Sequence, residues 1–142
     1  MKPVSALLKK REGTLWHVRP DDTVFTALLL LAQHEVGALV VMDGGRMVGI
    51  VSERDYTRKV ALQGRHSKET TVAEIMTAQV LTVSPSTGTR DCMALMSGRK
   101  IRHLPVVDGA TVLGMISIRD IMDDIIADHE QTIAQLQTYI TS

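Results

Sequence analysis

Gly49-Ile-Val-Ser52-Glu-Arg54-Asp55 and Gly114-Met-Ile-Ser117-Ile-Arg119-Asp120 stand 65 residues apart in a chain of 142. Each joins an apolar, β-branched run to a segment with helical periodicity, so each marks a strand entering a helix. Working outward from the pair, a shift of 65 aligns Leu15–Gln63 onto Val80–Asp128 without a gap, and 11 of the 49 positions are identical. Identities include Val18/Val83, Pro20/Pro85, Leu39/Leu104, Val41/Val106 and Asp43-Gly44/Asp108-Gly109. Self-similarity at one fixed offset is the signature of a repeat architecture. Farther upstream, Val4–Leu8 matches Val72–Met76 at an offset of 68, which places three extra residues around Lys10–Gly13 in the first copy.

The copies read alike. Leu15–Arg19 and Val80–Ser84 are short apolar runs closed by proline, hence strands. Asp21, Asp22 and Thr23 start an amphipathic helix running to Glu35, and Ser86 or Thr87 opens its counterpart. Ala38–Met42, Asp43-Gly44-Gly45 and Arg46–Val51 form a hairpin, repeated by Leu104–Val107, Asp108-Gly109 and Thr111–Ile116. Helices follow near Glu53–Leu62 and Ile118–Ile140. The order in each copy is β-α-β-β-α. Units of about 60 residues are small for an independent core, so the expectation is one pseudo-symmetric α+β body. Residues 1–64 hold the first repeat with an N-terminal helical segment, 65–128 the second, and 129–142 a C-terminal helical extension.

Composition narrows the function. Sixteen Lys+Arg balance 16 Asp+Glu, against the basic excess of a dedicated nucleic-acid binder. Aromatics are 3% of residues, too few for base-stacking platforms, so a bound base is expected to rest on aliphatic side chains and backbone. Cys92 stands alone, which excludes an internal disulfide and CxxC chemistry. The first 13 residues have no signal-peptide core, and the Leu28–Ala32 run is too short to span a bilayer, so a reducing cytoplasm is expected. The five histidines have no zinc-protease spacing, no Ser-His-Asp order or phosphate-loop lysine is present, and Asp123, Asp124 and Asp128 read as solvated helix acids. No metal site and no catalytic activity are expected.

The repeated Gly-x-[Val/Ile]-Ser-x-Arg-Asp motif has two readings. Serine followed by an acid three residues on is a helix cap, complete in itself. The same helix start offers free N–H groups to a phosphate, with Arg54 or Arg119 adding charge and Asp55 or Asp120 accepting two hydrogen bonds from a vicinal diol. Two copies in one register favour the second reading.

Together with Val18-Arg-Pro20, Gly37–Asp43, Val72–Thr77, Thr82–Pro85 and Arg102–Asp108, these motifs resemble tandem CBS (cystathionine β-synthase) motifs, a CBS pair or Bateman module. The likeness runs from about Val4 to Asp128, and Ser52–Val60 is similar to stand-alone bacterial CBS-pair proteins. The resemblance implies two β-α-β-β-α repeats about a pseudo-twofold axis with two clefts between them. It implies adenosine ligands: AMP foremost, or ADP, ATP, NAD(H) or S-adenosylmethionine. It places ribose-binding acids at Asp55 and Asp120, phosphate-side hydroxyls at Ser52 and Ser117, and a basic pair at Arg102 and His103. Gly37 and Ala38 occupy the matching positions of the first copy, so the clefts should be inequivalent. His17 and Thr82, with Val36, Ile101 and Met76, border the base, and Pro105 belongs to the second hairpin's motif. Arg119 stands where relatives often carry glycine, either strengthening phosphate binding or crowding the cleft. The implied function is a non-catalytic regulatory sensor, forming a homodimer and acting on an effector protein in trans. The alternative is a ligand-independent dimerisation or scaffolding module, motivated by the long stripe Ile121, Ile125, Ile126, His129, Ile133, Leu136 and Ile140.

Overall fold

The structure, a computed structural model, describes residues 2–9 and 15–141. The insertion expected around Lys10–Gly13 lies outside them. In chain order the elements are α1 (Val4–Lys9), β1 (His17–Val18), α2 (Val24–His34), β2 (Ala38–Asp43), β3 (Arg46–Ser52) and α3 (Glu53–Tyr56). A π-helical turn (Thr57–Ala61) and a 3-10 turn (Ser67–Glu69) follow. Then come α4 (Val72–Ile75), α5 (Thr89–Arg99), β4 (His103–Asp108), β5 (Thr111–Ser117) and α6 (Ile118–Thr141). This is an α+β fold of two repeats about a pseudo-twofold axis.

The 65-residue register survives in fine detail. Both hairpins are antiparallel, and both are bulged, between Val41 and Met42 and between Val106 and Val107. Gly44 and Gly45 take positive φ (59° and 81°), as a tight turn between β2 and β3 requires. α2 and α5 end on residues in the left-handed region, Glu35 (φ 53°) and Lys100 (φ 55°). β1 lies parallel to β2. Its counterpart, expected as a strand over Val80–Ser84, shrinks to a single parallel bridge, Val83 to Val106. α5 also begins later than Ser86 or Thr87. The Ser84 N–H donates to Thr87 Oγ1 (3.1 Å), closing a turn that leaves Gly88 as the cap. Asp22 closes the matching turn in the first copy by accepting from Arg19 N–H (2.8 Å). The helix after β3 is α-helical only to Tyr56 before passing into the π turn.

Each sheet buries one cluster of apolar side chains. The first contains Val18, Val24, Leu31, Leu39, Val51 and Val60. The second contains Val83, Cys92, Met96, Leu104, Ile116 and Ile121. The short helices are exchanged between them. Val72 and Ile75 of α4, which precede the second copy in sequence, pack in the first cluster. Val4 and Leu7 of α1, which precede the first copy, pack in the second. Backbone hydrogen bonds fix both placements equivalently: Val72 N–H to Asp22 O (2.8 Å) and Ala73 N–H to Pro20 O (2.9 Å) match Val4 N–H to Thr87 O (2.9 Å) and Ser5 N–H to Pro85 O (3.1 Å). A capping box between Thr71 and Glu74 starts α4, and the Thr71 backbone N–H, with Arg65 alongside, holds the Glu74 carboxyl below its usual range.

Candidate functional site

Two clefts open where the repeats face each other. Both lie at starts of the helices that follow the second hairpin strands, as both copies of the motif dictate. In the first, Ser52 caps α3. Its hydroxyl accepts from Asp55 N–H (3.2 Å) and donates to Asp55 Oδ2 (3.1 Å), and its own N–H donates to the same oxygen (2.9 Å). Ser117 and Asp120 make the same three bonds at 3.2, 3.0 and 2.8 Å. The capping reading is therefore realised in both copies, and such a cap stabilises a helix start by about 1 kcal/mol. The serine protons are committed to the aspartates, so toward a ligand each hydroxyl is an acceptor in this arrangement.

Beyond the caps the clefts diverge. The first has a volume of about 910 Å³. One wall carries Ser52, Glu53, Arg54, Asp55 and Arg58, and the other Arg99, Lys100, Ile101, Arg102 and His103. Gly37, Ala38, Ile50, Thr77, Gln79, Val80 and Leu81 complete it. Arg54 spans the opening, donating from Nη1 to Lys100 O (3.3 Å). Lys59 Nζ holds Asp55 Oδ1 at 3.1 Å and donates to Ile75 O (2.8 Å), tying the site to exchanged helix α4. The second cleft is smaller, about 240 Å³. Val36, Gly37, Ala38, Arg102, His103, Ser117 and Arg119 line it, with Leu8 of α1, Trp16 and Glu35. The Trp16 ring stacks on His34, centroids 4.3 Å apart at an interplanar angle of 4°. At Lys59's counterpart the second copy has Asp124, expected to be a solvated helix acid but in fact buried and accepting from Lys2 Nζ (3.1 Å).

Of the residues singled out from sequence, Gly37, Ala38, Ser52, Arg54, Asp55, Ile101, Arg102 and His103 meet in the first cleft, and Val36, Ser117 and Arg119 join the second. Asp120 is adjacent through its bonds to Ser117. His17, Met76, Thr82 and Pro105 are not among the lining residues. His17 is exposed, and its neighbour Trp16 faces the second cleft instead. Leu81 likewise replaces Thr82 in the first. Extended backbone alternates its side chains, so a one-residue phase decides which one reaches the site. Met76 packs where a Cβ on Gly49 would stand, its sulfur 2.7 Å away. Pro105 is buried in β4, its carbonyl accepting from Val83 N–H (3.1 Å). The expectation of aliphatic walls without rings fits Leu81 and Ile101 but not Trp16. Among the described residues no group of His, Cys, Asp and Glu is placed to hold a metal ion, and no helix is long and apolar enough to cross a membrane.

Residues 14–62 and 72–127 each match the family model of the CBS domain. The chain belongs to the CBS domain family. The mitochondrial CBS domain-containing protein CBSX3 of Arabidopsis thaliana is 40% identical over 137 residues, 93% of this chain and 66% of that protein. A solved protein with CBS domains from Burkholderia ambifaria MC40-6 is 48% identical with a TM-score of 0.86, covering 89% of this chain and 96% of that one. The CBS domain pair of protein MJ0100, solved with 5′-methylthioadenosine and S-adenosyl-L-methionine, is 25% identical with a TM-score of 0.79, over 90% of this chain and 98% of that one. The chain is thus a CBS pair, a module of regulatory and signalling proteins.

Proposed function

We propose that this CBS pair is a non-catalytic sensor that binds adenosine-containing ligands, AMP, ADP, ATP or NAD(H), in its inter-repeat clefts. The observation that carries this reading is the first cleft. It joins a capped helix start from one repeat to an apolar and basic wall from the other, and its volume suits a nucleotide. In this reading the base lies against Ile101 and Leu81. The ribose hydroxyls share Asp55 Oδ1 with Lys59, and the phosphates face Arg54, Arg58 and Lys100. A ligand bridging both walls favours one relative packing of the repeats, which an effector protein in trans, in the cytoplasm, reads as a population shift. The ligands of the MJ0100 pair support the adenosine class. Calorimetry and thermal shift with AMP, ATP, NADH and S-adenosylmethionine test it. A ligand at a hundred times its Kd raises stability by about 2.7 kcal/mol, and silence with all four compounds refutes the reading. Asp55→Ala and Asp120→Ala are each expected to weaken one site by about tenfold or more, the loss of a charged hydrogen bond. Unchanged affinity and stoichiometry in the double variant would remove the aspartates from the site.

A second reading concerns assembly. Ile126, Ile133, Leu136 and Ile140 are each more than half exposed on α6. With His129 they recur at alternating steps of three and four, Ile126, Ile133 and Ile140 at one heptad position and His129 and Leu136 at the other, the spacing of a coiled-coil seam. Residues 131–142 carry no charged side chain, so identical tails meet without like-charge repulsion. We propose that α6 pairs with a second copy of this chain.

A further inference from the structure

The two clefts occupy equivalent positions, yet their charges have diverged. Arg58 lines the first cleft, and 65 residues along stands Asp123. Lys100 lines the first cleft, whereas its counterpart Glu35 lines the second, each carried by the same left-handed helix end. Arg99 of the first corresponds to His34, which is stacked beneath Trp16. Overall the first cleft presents five basic side chains against two acidic ones, the second two against one. Volume changes in the same sense, about 910 Å³ against about 240 Å³. Clefts lined by one sign of charge concentrate ligands of the other sign, and each added phosphate charge strengthens that preference.

We infer that the clefts sort adenosine ligands by phosphate number: the first takes the di- or triphosphate, and the second admits an adenosine carrying no more than one phosphate. This rests on the nucleotide reading above and adds to it a division of labour. Glu35 repels a phosphate chain where Lys100 attracts one. The narrow second cleft, floored by Leu8 and walled by Trp16, leaves room for a nucleoside and little beyond it.

The chain's only tryptophan lines the second cleft and not the first, so one molecule reports the two sites separately. The full chain is titrated with adenosine, AMP, ADP and ATP, following total heat by calorimetry and the second cleft by Trp16 emission. Adenosine and AMP are expected to shift the emission, and ATP to release heat with one site per chain without shifting it. Lys100→Glu installs in the first cleft the residue that lines the second at the same position, and Arg58→Asp installs the residue that the second repeat carries 65 positions on. Each is expected to lower ATP affinity by about tenfold, more at low salt than at high, with the AMP emission response unchanged. Arg58→Lys and Lys100→Arg should retain ATP binding, and circular dichroism verifies that each variant folds. ATP that shifts Trp16 at the same midpoint as its heat, or charge reversals that leave ATP affinity intact, overturn the sorting while the nucleotide reading stands. Failure of every probe to bind overturns both.

Discussion

Gly49 leaves no room for a methyl group. A Cβ there would sit 2.7 Å from Met76 Sδ and 2.9 Å from Thr77 O, and that carbonyl is held by Ile50 N–H (3.0 Å). Its counterpart Gly114 faces only the mobile end of a side chain, Leu8 Cδ2, at 2.9 Å. Gly49→Ala should therefore cost about 1–3 kcal/mol, as overpacking does, and Gly114→Ala clearly less, measured by urea denaturation of both variants. Cys92 is fully buried, and burial, with Asp91 nearby, pushes its thiol up. The folded state thus favours the protonated form. Iodoacetamide should label Cys92 only on unfolding, and labelling as fast as that of a free thiol in the native chain would contradict its place in the core. At this scale the sequence was informative where chemistry is local. The Ser52–Asp55 and Ser117–Asp120 caps were legible because a cap is a four-residue event. Trp16 was missed in favour of His17 because both belong to one extended segment, and only packing against the first apolar cluster and the His34 ring sets the phase.

Among the elements, α6 divides its length between two environments. Ile121 is fully buried and Ile125 partly so, while Ile133 and Leu136 stand more than half exposed. If the distal half pairs with another copy, Ile133→Glu with Leu136→Glu should convert a dimer to a monomer in sedimentation or light scattering. Thermal stability of the monomer should change little, because neither side chain touches the core. An unchanged mass would assign the stripe some other role. The periodicity from Ile121 to Ile140 was plain in the sequence, but which residues face inward was not, since two stripes overlap on one helix. The π turn over Thr57–Ala61 carried no sequence signal. It lies where Lys59 reaches back to Asp55 and across to Ile75 O, a long-range requirement that local helix propensity does not encode.

For the molecule as a whole, the 65-residue repeat predicted the pseudo-symmetric body, because the same hairpin strands, bulges and helix ends recur in register. It did not reveal that α1 and α4 are exchanged, because a repeat offset records which segments are alike and not which cluster each one packs in. Each apolar cluster is completed by a helix preceding the other copy. Removing residues 1–9 should accordingly loosen the far half. Hydrogen exchange is expected to accelerate over 103–121 much more than over 38–51, with about 2–5 kcal/mol lost per deleted core side chain at most. Equal loss in both halves would refute the exchange. The same arrangement imposes an order on synthesis. The first apolar cluster can close once α4 leaves the ribosome, because its other buried members all precede α4 in the chain. Helix α1, translated before the other elements described, waits for a cluster that begins at Val83 and is complete only when Ile121 of α6 emerges, and so stays unburied throughout the synthesis of the first repeat.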